Sequence, residues 1–309
     1  MRVQALAKLN LDLRVLGRRE DGFHELRTIF HTISLADRLE ISFTPGRKTE
    51  ISLVEDSIPD NLVLRAAAAV MEAMRVSGRI GMRLIKRIPM GAGLGGGSSD
   101  AAAVLLALPV LAGREVPLAD LCRIGQELGS DVPFFLLGGA AAGIGRGTEL
   151  FPLPDAPAEP GVLACPDVHV STAEAYRLLS GSLTTELQEN KMFAFQSHIF
   201  GWGNRRQGSN DFEAVVFKQH GRLAGLKKRL QKEGAMCAMM TGSGSAVFGL
   251  FRTVAEASLA ASSLAELDLT ARVFRFRLVN RARYRSLWWR ALREYTDANV
   301  WPPRSRYLR

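Results

Sequence analysis

The sequence predicts an α+β fold in two domains. Three observations carry this expectation. Strand-like and helix-like segments mix without a regular β-α alternation. Four prolines, Pro152, Pro154, Pro157 and Pro160, interrupt the chain near its middle. A length of 309 residues suffices for two hydrophobic cores. The expected division is 1–160, 161–271 and an arginine-rich extension over 272–309.

Each element has a local reason. Val3–Leu16 alternates as a half-buried strand does, and Thr28–Phe43 reads as two more strands around a turn at Ala36-Asp37. Asn61–Met74 has helical periodicity behind an Asp60/Asn61 start signal. Ile80–Ile88 alternates again, a glycine-rich loop follows, and Ala101–Leu108 and Leu118–Leu128 read as helices. The second domain opens with strand Gly161–Cys165 and helix Thr172–Leu179. Residues 181–208 read as an irregular insertion. Helices Asp211–Val216 and Arg222–Glu233, strands Met236–Thr241 and Ala246–Phe251, and helix Val254–Leu267 complete the body.

Composition excludes several classes. Apolar residues make up 47% of the chain and charged ones 23%, as in ordinary globular proteins. No apolar run approaches the roughly twenty residues that span a bilayer, and Lys8, Asn10 and Asp12 interrupt any leader-like stretch at the start. The three cysteines, Cys122, Cys165 and Cys237, suit neither a disulfide framework nor a zinc site, and read as reduced thiols of a cytoplasmic protein. The +9 net charge is confined to residues 272–309, where eleven arginines face two acids. That segment also holds Trp288, Trp289 and Trp301. A helix packing its tryptophans on the body is the expected form, rather than a nucleic-acid or membrane contact.

The most informative run is residues 88–104, with Gly91, Gly93, Gly95, Gly96 and Gly97 followed by Ser98, Ser99 and Asp100. Residues without Cβ atoms let backbone N–H groups turn inward around an anion. A helix directly behind adds free amides and the positive end of its dipole. A flexible linker would not lie between a strand and an alanine-rich helix. The Walker pattern is excluded, since no lysine occurs between Lys86 and Lys191. A dinucleotide fingerprint lacks its second strand and acidic residue.

The run is similar to the phosphate motif of the GHMP kinases. Ala7-Lys-Leu-Asn-Leu11 resembles the opening motif of that family, and Met240–Phe248, with its second glycine loop, resembles the third. The segments Gly17–His24, Thr28–His31, Leu128–Phe135, Ser171–Tyr176 and Ser209–Glu213 narrow the resemblance to one branch. That branch uses ATP to phosphorylate the 2-hydroxyl of cytidine-diphosphate methylerythritol in the non-mevalonate isoprenoid route. The resemblance implies an N-terminal domain like domain 2 of ribosomal protein S5, a ferredoxin-like C-terminal domain, and an active site in the cleft between them. It also implies ATP as co-substrate with Mg2+, no nucleic-acid or membrane partner, and a monomer or homodimer.

Residue by residue, the resemblance implies that Gly91, Gly93, Leu94, Gly95, Gly96, Gly97, Ser98 and Ser99 hold the ATP phosphates. Ser98 or Ser99 is expected to meet a phosphate oxygen or magnesium. Asp131 is the candidate base, although an aspartate at a loop–helix junction also serves as a helix cap. Lys8 either snorkels at a strand edge or pairs with Asp131 and the reacting hydroxyl. Asn10 shares the strand face of Lys8 and is expected to hold the sugar alcohol. Phe23 and Tyr176 are expected to stack on the cytosine while His24 bonds its edge. Phe23 stands where that branch often has tyrosine. Gly242 and Ser243 are expected to cap the substrate phosphates, unless that loop is only a tight turn. His31, His169, His198 and His220 read as structural.

Overall fold

The computed structural model describes residues 1–54, 58–155, 157–180, 185–202, 208–297 and 300–308. The first domain is organised by two long strands. β1 (Arg2–Arg18) pairs antiparallel with β2 (His24–Pro45) over most of its length. β3 (Glu50–Val54) leads to α1 (Leu62–Met74), which Asn61 caps by accepting the Val63 amide. β4 (Gly78–Ile85) pairs with the C-terminal half of β2. After the glycine loop come α2 (Gly96–Ala112), α3 (Leu118–Leu128), α4 (Val132–Leu137), β5 (Ala140–Gly145) and β6 (Glu149–Pro152). The sheet runs β3-β4-β2-β5-β6, with β1 against β2.

α2 lies in the middle of this domain. Every residue from Ser99 to Val110 is buried, so the helix is apolar on all sides and has no solvent face. Sequence propensity marks only its alanine-leucine centre. The helix extends back through Gly96, where a Cβ would lie 3.0 Å from the Ile88 side chain, so close packing and not helix propensity favours glycine there.

The second domain is the sheet β10-β7-β9-β8. β7 (Pro160–Cys165) is followed by α5 (Thr172–Ser180), α6 (Thr185–Phe200), α7 (Glu213–Gln219) and α8 (Gly221–Lys232). Then come β8 (Cys237–Met240), β9 (Val247–Leu250), α9 (Val254–Leu267), β10 (Arg272–Arg277) and α10 (Arg281–Ala291). One face of the sheet packs Val162, Ala164 and Val247 against α8 and α9. The other places Leu163, Phe248 and Phe276 against Ala7, Leu9 and Ile29 of β1 and β2, so the domains share a core along the strand that carries Lys8.

Three expectations need correction. The turn at Ala36-Asp37 does not exist, because β2 runs unbroken through it. Asp37 is fully buried, and its carboxylate accepts the Arg87 and Ile88 amides and pairs with Lys86. Of the irregular stretch 181–208, residues 185–200 form helix α6, whose buried His198 Nδ1 meets Asp12 Oδ2 at 2.8 Å and fastens the helix to β1; 181–184 and 203–207 lie outside the described residues. Residues 272–277, placed by the sequence in the arginine-rich extension, form strand β10, paired with β7 of the second sheet. Beyond it, α10 buries Tyr284 and Trp288, and Trp301 donates to the Leu136 carbonyl at 2.8 Å. Among the described residues, no helix is long and apolar enough to cross a membrane.

Candidate active site

β1 carries irregularities in its pairing between Leu6 and Lys8 and between Asn10 and Asp12. Such bulges re-aim side chains and free backbone groups from the ladder. Here the freed amides reach both glycine loops. The Lys8 N–H donates to the Leu94 carbonyl at 3.0 Å, and the Asn10 N–H donates to Thr241 Oγ1 at 3.0 Å. The loops also meet each other. A Cβ on Gly93 would lie 2.2 Å from the Thr241 carbonyl oxygen, so glycine is obligatory there, and the φ of +76° reinforces the requirement. The second glycine loop is therefore more than a tight turn: it closes against the first.

Lys8 is 3% exposed. Its ammonium donates to Asn10 Oδ1 at 2.7 Å and lies 3.3 Å from Asp131 Oδ2. Asn10 Nδ2 in turn donates to Thr28 Oγ1 at 2.8 Å, and Thr28 Oγ1 to the Asp12 carbonyl at 2.7 Å. This chain of bonds leaves the lysine little freedom to swing away. Asp131 precedes α4, which Pro133 helps to start, yet its side chain caps no helix amide. Its carboxylate instead faces Lys8 and remains about one-third exposed. Capping does not account for it.

Three cavities converge here. One, of about 370 Å³, is bounded by Asn61, Lys86 and the loop from Gly91 to Ser98. A second, of about 450 Å³, is lined by Lys8, Asn10, Asp131, Tyr176, Gly242 and Ser243. The third, of about 900 Å³, adds Phe23, His24 and Arg177, and again includes Asp131 and Ser98. The lysine–aspartate pair thus stands where the glycine loop meets the space beyond it. By helix geometry the amides of Gly96, Gly97 and Ser98 at the start of α2 have no intrahelical acceptor and form an end suited to an anion, whereas the Ser99 amide already donates to the Gly95 carbonyl.

Not every expected residue faces that space. Ser99 is buried, and its hydroxyl donates to the Leu6 carbonyl at 2.7 Å. That corrects its expected phosphate or metal role and leaves Ser98, which lines two of the cavities. Phe23, His24 and Tyr176, the residues expected at the cytosine, line one cavity. His24 itself stacks on Tyr176, with ring centroids 4.3 Å apart and planes 20° apart. Burial and the nearby Arg18 charge push the His24 imidazole down from its ordinary value. Phe212 meets Tyr176 edge-on. Phe23 is about half exposed, and the Arg146 guanidinium lies 3.4 Å from its ring centroid.

Arg146, His169 and Thr172 line the 450 Å³ cavity and were missed by sequence reasoning. Arg146 sits in the turn after β5, a strand the periodicity did not reveal. The Ser209–Glu213 segment acquires a clear purpose. Asn210 Nδ2 donates to both the Met240 and Gly242 carbonyls at 2.8 Å, and Glu213 Oε1 accepts the Met240 amide. The motif is a bracket for the second glycine loop.

Residues 61–139 match the GHMP kinases N terminal domain and residues 196–267 the GHMP kinases C terminal domain. A 4-diphosphocytidyl-2-C-methyl-D-erythritol kinase of Solibacter usitatus is 66% identical, over 99% of this chain and 97% of its own. The chain belongs to the GHMP kinase family. It is a small-molecule kinase of that family. A relative of the same name from Moorella thermoacetica is 42% identical, over 85% of this chain and 94% of its own. Among solved structures, a 4-(cytidine 5'-diphospho)-2C-methyl-D-erythritol kinase matches with a TM-score of 0.74 at 38% identity, covering 90% of this GHMP kinase and 99% of that chain. Homoserine kinase from Cytophaga hutchinsonii, at 17% identity and a TM-score of 0.69, shares the fold.

Proposed function

We propose that this kinase transfers the γ-phosphoryl group of ATP to the 2-hydroxyl of 4-diphosphocytidyl-2-C-methyl-D-erythritol, in the cytoplasm. The observation that carries the reading is the Lys8–Asp131 pair, 3.3 Å apart, with Asp131 bordering both cavities that also hold Tyr176. The relatives at high identity support the same substrate.

In this reading the acceptor oxygen attacks the γ-phosphorus while the bond from that phosphorus to the β,γ-bridging oxygen breaks, and ADP leaves with the electron pair. Asp131 accepts the hydroxyl proton as the new bond forms. The Lys8 ammonium faces that carboxylate at 3.3 Å and stabilises negative charge on the transferred group. Main-chain amides of the Gly91–Ser98 loop orient the triphosphate. Phe23 and the His24–Tyr176 stack offer an aromatic wall to the base. Arg146 supplies a cation toward the substrate diphosphate.

Magnesium suits this donor set. Mg2+ at nucleotide sites takes most of its oxygens from phosphates and water, and Ser98, a residue with a hydroxyl, lines the cavities on both sides of the loop. The ion would neutralise charge on the β- and γ-phosphates. The unpaired cysteines, with Cys165 and Cys237 buried, accord with a reducing compartment. Release of ADP by the purified protein with the cytidine substrate tests the proposal. Turnover of homoserine or mevalonate in its place would overturn it.

A further inference from the structure

The base-reading wall and the second glycine loop are joined by a hydroxyl–hydroxyl bond. Thr172 Oγ1 and Ser243 Oγ lie 2.7 Å apart, and both line the 450 Å³ cavity. Thr172 opens α5, one helical turn before Tyr176, so the two side chains lie on the same face of the helix. Ser243 lies beyond Gly242, which packs on Gly93 of the first loop: a Cβ on Gly242 would lie 3.0 Å from the Gly93 Cα.

The inner side of the second loop is already fastened. Asn210 bonds the Met240 and Gly242 carbonyls, and Thr241 Oγ1 accepts the Asn10 amide. The Thr172–Ser243 bond is on the outer, exposed side, where water competes and a hydroxyl pair adds little to folding. Its position matters more than its strength. It ties the helix that bears the base platform to the loop that closes on the phosphate nest.

We propose that the Thr172–Ser243 pair couples occupation of the base site to closure of the second glycine loop over the transferred phosphate. The inference rests on the substrate reading above and deepens it. The cytidine half of the substrate then accelerates the chemistry rather than only tightening binding, as remote binding energy can do when it is realised in the transition state. Thr172 and Ser243 act as positioning residues; neither exchanges a proton.

The test is steady-state kinetics of Thr172→Val, Ser243→Ala, the double variant and Thr172→Ser. Two acceptors are compared: the cytidine substrate, and methylerythritol 4-phosphate, which is the same polyol without its cytidine monophosphate half. On the cytidine substrate each single variant should lose kcat about five-fold, the size of one hydrogen bond, with KM little changed. The double variant should lose no more than either single one, and Thr172→Ser should keep the wild-type kcat. On the truncated acceptor, which lacks the base, the loss caused by Thr172→Val relative to wild type should be smaller than on the cytidine substrate. Losses that multiply in the double variant, a defect in KM alone, or an equal defect on both acceptors would overturn the coupling. If the variants match wild type on the cytidine substrate, the coupling alone fails. A wild-type enzyme idle on that substrate overturns the substrate reading and the coupling together.

Discussion

Two lysines flank the first glycine loop, and the contrast between them is that of an ion pair open to a cavity and one closed off from it. Lys8 touches the loop at Gly95, where a Cβ would lie 3.1 Å from its Cγ; Lys86 touches it at Gly96, where a Cβ would lie 3.3 Å from its Nζ. Both meet carboxylates. Lys8 faces Asp131 across 3.3 Å, and that carboxylate opens onto two cavities. Lys86 is held between Asp37 and Asp100, whose side chains are essentially inaccessible. Asp37 also takes two backbone amides. The first pair has an open side, where the proposed reaction places the acceptor hydroxyl. In the second, both carboxylates are closed off.

The contrast predicts opposite signatures on mutation. Asp131→Asn and Lys8→Met each remove half of the open pair without changing volume much. Each should lower kcat about a thousand-fold, within the range for removal of acid–base chemistry, with thermal melting nearly unchanged. Lys86→Met leaves two buried carboxylates without their shared cation. Breaking a buried ion pair this way costs about 3–5 kcal/mol, so calorimetry should record a large loss of melting temperature. If Lys86→Met melts like wild type, or Asp131→Asn retains activity, the division between the two lysines is wrong.

The difference explains what the sequence disclosed and what it hid. Periodicity and start signals located α1, α3 and α9 almost to the residue, because these helices pair an apolar face with a cap or a proline entry. The glycine loop was legible as an ordered unit because so many residues without side chains stand between a strand and a helix. The turn at Asp37 was misread because a polar residue in an apolar run resembles a turn, while its real partners, the Arg87 and Ile88 amides, lie fifty residues away. Ser98 and Ser99 are indistinguishable by type, and only the packing of α2 against β1 assigns Ser99 to the Leu6 carbonyl. Arg146 escaped notice for a similar reason. Its significance comes from the Phe23 ring beneath it, and Phe23 lies in a different hairpin.

The aromatic wall extends the comparison from charge to stacking. Phe23 is half exposed at the mouth of the 900 Å³ cavity, whereas Tyr176 is held between His24 and Phe212. Phe23→Ala should therefore raise KM for the cytidine substrate about ten-fold, the worth of one base–aromatic contact, and leave KM for ATP near wild type. Equal increases in both constants would mean that Phe23 supports the site as a whole and does not meet the base.

The smallest effect sharpens the closed lysine cluster through pH. Burial, opposed by the Lys86 charge and reinforced by Asp37, pushes Asp100 up to about 7. Two carboxylates beside one ammonium leave a net negative charge, which makes ionisation of the buried Asp100 more costly. In the unfolded chain Asp100 returns to the ordinary carboxylate value. A group whose pKa is raised on folding stabilises the protein fully below the unfolded value and loses that contribution as pH rises through the folded one. The contribution of Asp100 therefore declines between about pH 4 and pH 7. Asp100→Asn keeps the shape of the side chain and cannot ionise. The melting temperature of wild type relative to this variant should fall as pH rises across that window, then level off above it. A difference that stays constant with pH would show that Asp100 is ionised throughout, and that the closed cluster carries its negative charge unprotonated beside the phosphate loop.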